Sequence, residues 1–90
     1  MEYRKEENRF VVLNDAQNEI GEMTWSNAGE TIIIIDHTYV DDAYRGQGIA
    51  EKLVSLGVEY AREQQKKVMP LCPFAKKEFD RKPEYQDVLK

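Results

Sequence analysis

Ile32-Ile33-Ile34-Ile35-Asp36-His37-Thr38-Tyr39-Val40-Asp41-Asp42-Ala43-Tyr44-Arg45-Gly46-Gln47-Gly48-Ile49-Ala50-Glu51-Lys52-Leu53 is the stretch that decides the fold. Four β-branched residues in a row suit a strand covered on both faces, hence a central one. The strand is expected over Glu30 to Val40, with Ile33, Ile35, His37 and Tyr39 on one face and Ile34, Asp36, Thr38 and Val40 on the other. After Gly48 the period changes. Ile49, Ala50, Leu53, Val54, Gly57, Val58, Tyr60 and Ala61 form one helical stripe, with Glu51, Lys52, Ser55, Glu59, Arg62 and Glu63 mostly opposite. A helix from Ile49 to about Gln65 follows. Gly57 on its packed side costs roughly 1 kcal/mol of propensity, which points to close approach of helix and sheet.

Upstream, Arg9 to Leu13 reads as a strand, Asn14 to Asn18 as a turn, and Glu19 to Trp25 as a second strand paired with the first. On that second strand Ile20, Glu22 and Thr24 alternate with Glu19, Gly21, Met23 and Trp25. Downstream, Val68 to Cys72 reads as a strand ended by Pro73, and Phe74 to Arg81 as a short helix stopping before Pro83. The tail from Glu84 to Lys90 carries no decisive pattern. The order is β-β-β-α-β-α, an α/β (α+β) fold with a mixed, mainly antiparallel sheet. Strand, crossover helix, strand implies a right-handed parallel unit appended to an antiparallel meander.

Composition narrows the function classes. Ninety residues, 41% apolar and 33% charged, describe one globular domain over 1–90 rather than a disordered chain. The apolar run Thr31 to Ile35 falls far short of the roughly 18 to 20 residues that span a bilayer. The charged start (Glu2, Arg4, Lys5, Glu6, Glu7) shows no secretory signal. A formal charge of −4 disfavours nucleic acid as a partner. One cysteine, Cys72, excludes an internal disulfide, and with the single histidine, His37, it falls short of a structural zinc set, so no metal is expected. This inventory suits a reducing cytoplasm and no membrane.

The turn between strand and helix carries the chemistry. Glycines permit positive φ and close approach of backbone to a ligand, and the first helical N–H groups lack intrahelical acceptors. With the positive end of the helix dipole they suit a phosphate. A Walker loop is absent, and Gly46-Gln47-Gly48 followed by Glu51 lacks the third glycine of a dinucleotide fingerprint. A bare Gly-x-Gly more commonly just starts a helix.

The wider context is more specific. Arg45-x-x-Gly48-x-Ala50 resembles, position for position, the Arg/Gln-x-x-Gly-x-Gly/Ala signature of the GNAT superfamily of N-acetyltransferases. Tyr44, Ile49 and Leu53 fit the same motif, and Val40-Asp41-Asp42-Ala43-Tyr44-Arg45-Gly46 resembles the usual strand exit. Asp36-His37-Thr38-Tyr39-Val40, the turn, and Pro70-Leu71-Cys72-Pro73-Phe74-Ala75 together look like its short, single-domain YjdJ-type branch. The resemblance runs from about Ile32 to Tyr85. It implies that Arg45, Gly46, Gln47, Gly48, Ile49 and Ala50 surround the pyrophosphate of acetyl-coenzyme A. It also implies that the backbone of Thr38, Tyr39 and Val40 pairs with the pantetheine arm where the central strand splays from the next.

Acetyl transfer to an amine needs a base, charge stabilisation at the thioester oxygen and a protonated leaving thiol. His37 is the natural base, since imidazole titrates near neutrality; a histidine satisfied by backbone is the plain alternative. Cys72, at the end of the neighbouring strand, is placed to approach His37 and to carry the acetyl group in a two-step route; a small buried hydrophobe is the alternative. Tyr85 matches a tyrosine that in many relatives protonates the leaving thiolate, but its place in the tail makes core packing the better reading. Asp36 reads as a structural carboxylate. The expected activity is acetyl-coenzyme A-dependent N-acetyl transfer to an amine, free or on a protein. The first rival is a non-catalytic acyl-coenzyme A-binding or sensing module, and the second a plain interaction domain whose glycine turn binds nothing. The elements that shape the acceptor site in larger relatives have no counterpart here, so an open acceptor site is expected. A monomer or weak homodimer is expected.

Overall fold

The computed structural model describes residues 1–90. Five strands form one sheet in the order β1-β2-β3-β4-β5: β1 Glu2–Glu6, β2 Arg9–Leu13, β3 Glu19–Ala28, β4 Ile32–Val40 and β5 Lys67–Pro70. The first four are antiparallel neighbours, and β5 runs parallel to β4 with Ile32 to Ile35 opposite Lys67 to Pro70. Helix α1, Ile49–Glu63, makes the crossover, and α2, Pro73–Arg81, follows β5. The fold class and the order of the elements from Arg9 onward are those read from the sequence.

The structure adds β1 in front. Its sequence, Glu2-Tyr3-Arg4-Lys5-Glu6, hides it because an edge strand carries charge to discourage further pairing. Side chains fasten it to α1. The Lys5 ammonium lies 5.0 Å from the Tyr60 ring and 5.8 Å from that of Trp25, and Lys52 lies over Tyr3. Cation–π contacts of this kind are worth about 0.5–1 kcal/mol each at exposed sites.

One apolar core lies between the sheet and the helices. Met23, Ile33, Ile35, Leu53, Val54, Val58, Val68, Ala75 and Phe79 are almost wholly buried in it. Each fully buried aliphatic side chain contributes about 1.5–3 kcal/mol. Gly57 gives the close approach expected of it: a Cβ there would stand 2.7 Å from the Met23 Cε.

Two irregularities rearrange the faces. On β3, Ile20 is skipped between the pairs Val12↔Gly21 and Leu13↔Glu19, and it is buried with the core residues. On β4, Asp36 is skipped between Trp25↔Ile35 and Thr24↔His37. A bulge residue shifts the alternation by one. The core face therefore reads Ile33, Ile35, Thr38, Val40, whereas His37 and Tyr39 fall on the opposite face with Asp36, whose carboxylate accepts from Ser26 Oγ at 2.7 Å. The unbroken odd–even alternation read from the sequence is corrected here, because one extra residue inverts every position beyond it.

The tail is structured. A single 3₁₀ turn at Pro83–Tyr85 buries Tyr85 against Phe79 at a ring separation of 5.3 Å. Val68 N–H then donates to Val88 O at 2.6 Å, and Lys90 N–H to Val68 O at 2.9 Å, which closes the outer edge of β5. Arg62 holds the segment with bonds of 2.9 Å to both Asp87 carboxylate oxygens and 2.7 Å to Glu84 O.

Candidate active site

The site begins where two strands part. Pairing of β4 and β5 stops at Ile35↔Pro70, while β4 continues to Val40. The N–H groups of Leu71 and Cys72 both converge on Ile35 O at 3.1 Å, and Pro73 then turns the chain into α2. Asp41 N–H donates to Ile20 O on β3 at 2.7 Å. Peptide groups alternate direction along a strand, so those of Thr38 and Val40 point to the other edge, which β5 has left. A linear chain can pair with that edge as an added strand.

Beyond Val40 a 3₁₀ turn, Asp42–Tyr44, is capped by Asp41, whose carboxylate accepts from Ala43 N–H at 3.0 Å. Asn14 Nδ2 donates to Tyr44 Oη at 3.0 Å, tying the β2–β3 turn to this segment. Gly46 and Gly48 then take φ of 81° and 77°. Gly48 is the N-cap of α1, and the first helical bond is Lys52 N–H to Gly48 O at 3.1 Å. The N–H groups of Ile49, Ala50 and Glu51 therefore have no helical acceptor. Nothing lies within 4 Å of where a Cβ would stand on either glycine, so the turn opens onto free space. Amides, dipole and empty room together fit a phosphate.

The edge and the turn share one cleft of about 440 Å³, lined by Thr38, Val40, Tyr44, Arg45, Gly46, Gly48, Ile49, Ala50, Glu51 and Phe74. Seven of the nine residues expected to hold a cofactor line it: Thr38, Val40, Arg45, Gly46, Gly48, Ile49 and Ala50. Tyr39 and Gln47 do not, since Tyr39 faces away beyond the bulge. Arg45 pairs with Asp42 at 2.9 Å, an exposed pair of little energetic weight.

Cys72 and His37 are not brought together. Cys72 is 5% exposed, belongs to the core and lies with its Sγ 3.5 Å from Thr38 Oγ1, one of the cleft's lining residues. It is also the N-cap of α2, a position where the helix dipole favours negative charge. His37 is half exposed on the far face of the sheet, with Nε2 3.8 Å from Glu22 Oε2 and its ring parallel to that of Tyr39 at 6.4 Å. Glu22 is in turn held by Arg9 at 2.9 Å, and the same guanidinium meets Glu6 and Glu19. The expected approach of His37 to Cys72 is corrected by the bulge at Asp36, which inverts His37. The two residues flank the parting of the strands from opposite faces.

Sequence reasoning missed Phe74 as a wall of the cleft and Thr38 as the neighbour of Cys72. Phe74 sits on the flank of α2 beside its buried stripe of Ala75, Glu78 and Phe79. Tyr85 is buried in the core, as its plain reading had it. No cluster of three His, Cys, Asp or Glu side chains with metal-binding geometry is present, and no helix is long and apolar enough to cross a membrane.

Comparison with known proteins bears on this arrangement. The family model described as GCN5-related N-acetyl-transferase matches residues 9–88. Protein NATD1 of Gallus gallus is 27% identical over 77 residues, covering 86% of this chain and 70% of that protein. The solution structure of a GCN5-like protein from Staphylococcus aureus is 38% identical with a TM-score of 0.81, covering 99% of this chain and 87% of that one. The crystal structure of the GNAT family N-acetyltransferase YhbS from Escherichia coli, in complex with CoA, is 28% identical with a TM-score of 0.64. It covers 70% of this chain and 38% of the longer one.

Proposed function

This chain belongs to the GCN5-related N-acetyltransferase family, and from that premise we propose that it binds acetyl-coenzyme A in the cleft and passes the acetyl group to an amine. One observation carries the reading: the abandoned edge of β4 and the open glycine turn before α1 line the same cleft. The similar structure of YhbS from Escherichia coli, which holds CoA, supports the choice of ligand. Bound there, acetyl-coenzyme A would supply an activated acetyl thioester.

The residues divide the work. N–H groups from Gly48 to Glu51, with Arg45, bind the pyrophosphate. Thr38 and Val40 pair with the pantetheine arm through their free peptide groups, which sets the thioester in the parting of β4 and β5. Tyr39 and Gln47 lie outside the cleft; Gln47 contributes through the backbone of the turn, whereas the peptide groups of Tyr39 face β3.

Cys72 acts from the cleft side. Its Sγ attacks the acetyl carbon, a new C–S bond forms there, the bond to coenzyme A breaks, and the departing thiolate takes the Cys72 proton. His37 acts from the other face. The incoming amine's nitrogen bonds to the acetyl carbon as the bond to Sγ breaks; the amine proton passes through water to His37, and the released Sγ thiolate takes a proton from solvent.

The test is release of coenzyme A with primary amines of several sizes, small amines and lysine peptides alike. We expect saturable release in the wild-type protein and a loss of about 10²-fold or more in His37→Ala. Binding without any release would leave the second reading, an acyl-coenzyme A sensor. The separation of Cys72 from His37 favours that reading, because it leaves the thiol without a neighbouring base.

A further inference from the structure

Coenzyme A carries a third phosphate on its ribose, beyond the pyrophosphate, and the cleft as described is short of cations for it. Arg45 is its one basic residue and is paired with Asp42, while Glu51 adds a carboxylate to the lining. The charge of the chain is unevenly placed. Residues 1–60 hold five basic and twelve acidic side chains, whereas residues 61–90 hold eight basic and five acidic. Of those eight, Lys76, Lys77, Arg81 and Lys82 lie on or just after α2, the helix whose Phe74 forms part of the cleft wall.

The cations nearest the cleft differ in freedom. Lys52, in the first turn of α1, lies over Tyr3 of β1, on the side away from α2. Lys76 pairs with Asp80 at 3.3 Å, Arg81 pairs with the buried Glu78, and Lys82 lies 3.1 Å from the same carboxylate. Lys77 is exposed and enters no ion pair. It follows Phe74 by three residues, so the two share one flank of α2, and Phe74 is part of the cleft wall. Lys76 and Asp80 occupy the opposite flank of the buried stripe Ala75, Glu78 and Phe79.

We propose that Lys77 holds the ribose phosphate of coenzyme A, so that this protein selects the cofactor over its dephosphorylated form. The inference rests on the acetyl-coenzyme A reading above. A lysine suits this task because its ammonium is a mobile point charge on a long stem, able to meet a phosphate at the mouth of an open cleft. Its unpaired state means that no existing contact is broken on binding.

Calorimetric titration of the intact protein with coenzyme A and, separately, with dephospho-coenzyme A tests this. The wild-type protein is expected to bind coenzyme A about fivefold more tightly. Lys77→Ala should abolish that preference by weakening coenzyme A alone, Lys77→Arg should keep most of it, and Lys76→Ala should leave it unchanged. Equal affinities in the wild-type protein, or a preference that survives in Lys77→Ala, would overturn the assignment while leaving the cofactor reading intact. Failure of both ligands to bind would overturn the cofactor reading and this assignment with it.

Discussion

Cys72 Sγ lies 3.5 Å from Thr38 Oγ1, a contact that joins the first turn of α2 to the strand edge that β5 leaves open. The buried thiol thus stands directly behind Thr38, a residue of the cleft wall. The wild-type protein incubated with acetyl-coenzyme A should gain about 42 Da by intact mass, the increment of one acetyl group. Cys72→Ala should still bind the cofactor and show no gain. Transfer to an amine by Cys72→Ala at the wild-type rate would instead mean direct attack, with Cys72 only packing behind Thr38.

The glycine turn separates stability from binding. At Gly48 a side chain has free room but must adopt a φ of 77°. Gly48→Ala should therefore cost about 1 kcal/mol in urea unfolding, from backbone conformation alone. Gly48→Glu should keep the circular dichroism of the wild-type protein and lose cofactor binding, because its carboxylate enters the space reserved for phosphate. A loss of several kcal/mol in Gly48→Ala would show that the turn is packed rather than open.

The tail responds to acid. The Arg62 guanidinium, bonded at 2.9 Å to both oxygens of Asp87, holds that carboxyl below its ordinary value of 3.8. A group depressed in the folded state stabilises it fully above the unfolded value and loses that contribution as pH falls through the folded one. Below about pH 4 the segment from Gln86 to Lys90 should loosen. Amide exchange at Val68 and Lys90, whose N–H groups close the β5 edge, should quicken relative to that of Leu53. Asp87→Asn should show the faster exchange at neutral pH and respond less to acid. Identical pH profiles in the two proteins would rule out this anchor.

Much of the fold was legible because it follows periodicity. The isoleucine run, the change of period after Gly48 and the prolines around α2 each placed an element within two residues or so of its position. The turn was legible for a different reason: Arg45, Gly48 and Ala50 fall at the spacing of a known family signature. What stayed hidden depends on pairing between strands. The bulge at Asp36 leaves no mark in composition, yet it puts His37 beside Glu22 and Thr38 beside Cys72. Strand β1 stayed hidden because its single large apolar residue is Tyr3, and the contacts that hold it come from Trp25, Lys52 and Tyr60, far along the chain.

The most direct test of the account is a titration of acetyl-coenzyme A into the ¹⁵N-labelled protein, followed by amide shifts. The account predicts saturable shifts centred on Thr38 to Val40 and on Arg45 to Ala50, with β1 undisturbed. No shifts at about millimolar ligand, where even a weak specific complex would be populated, would contradict it.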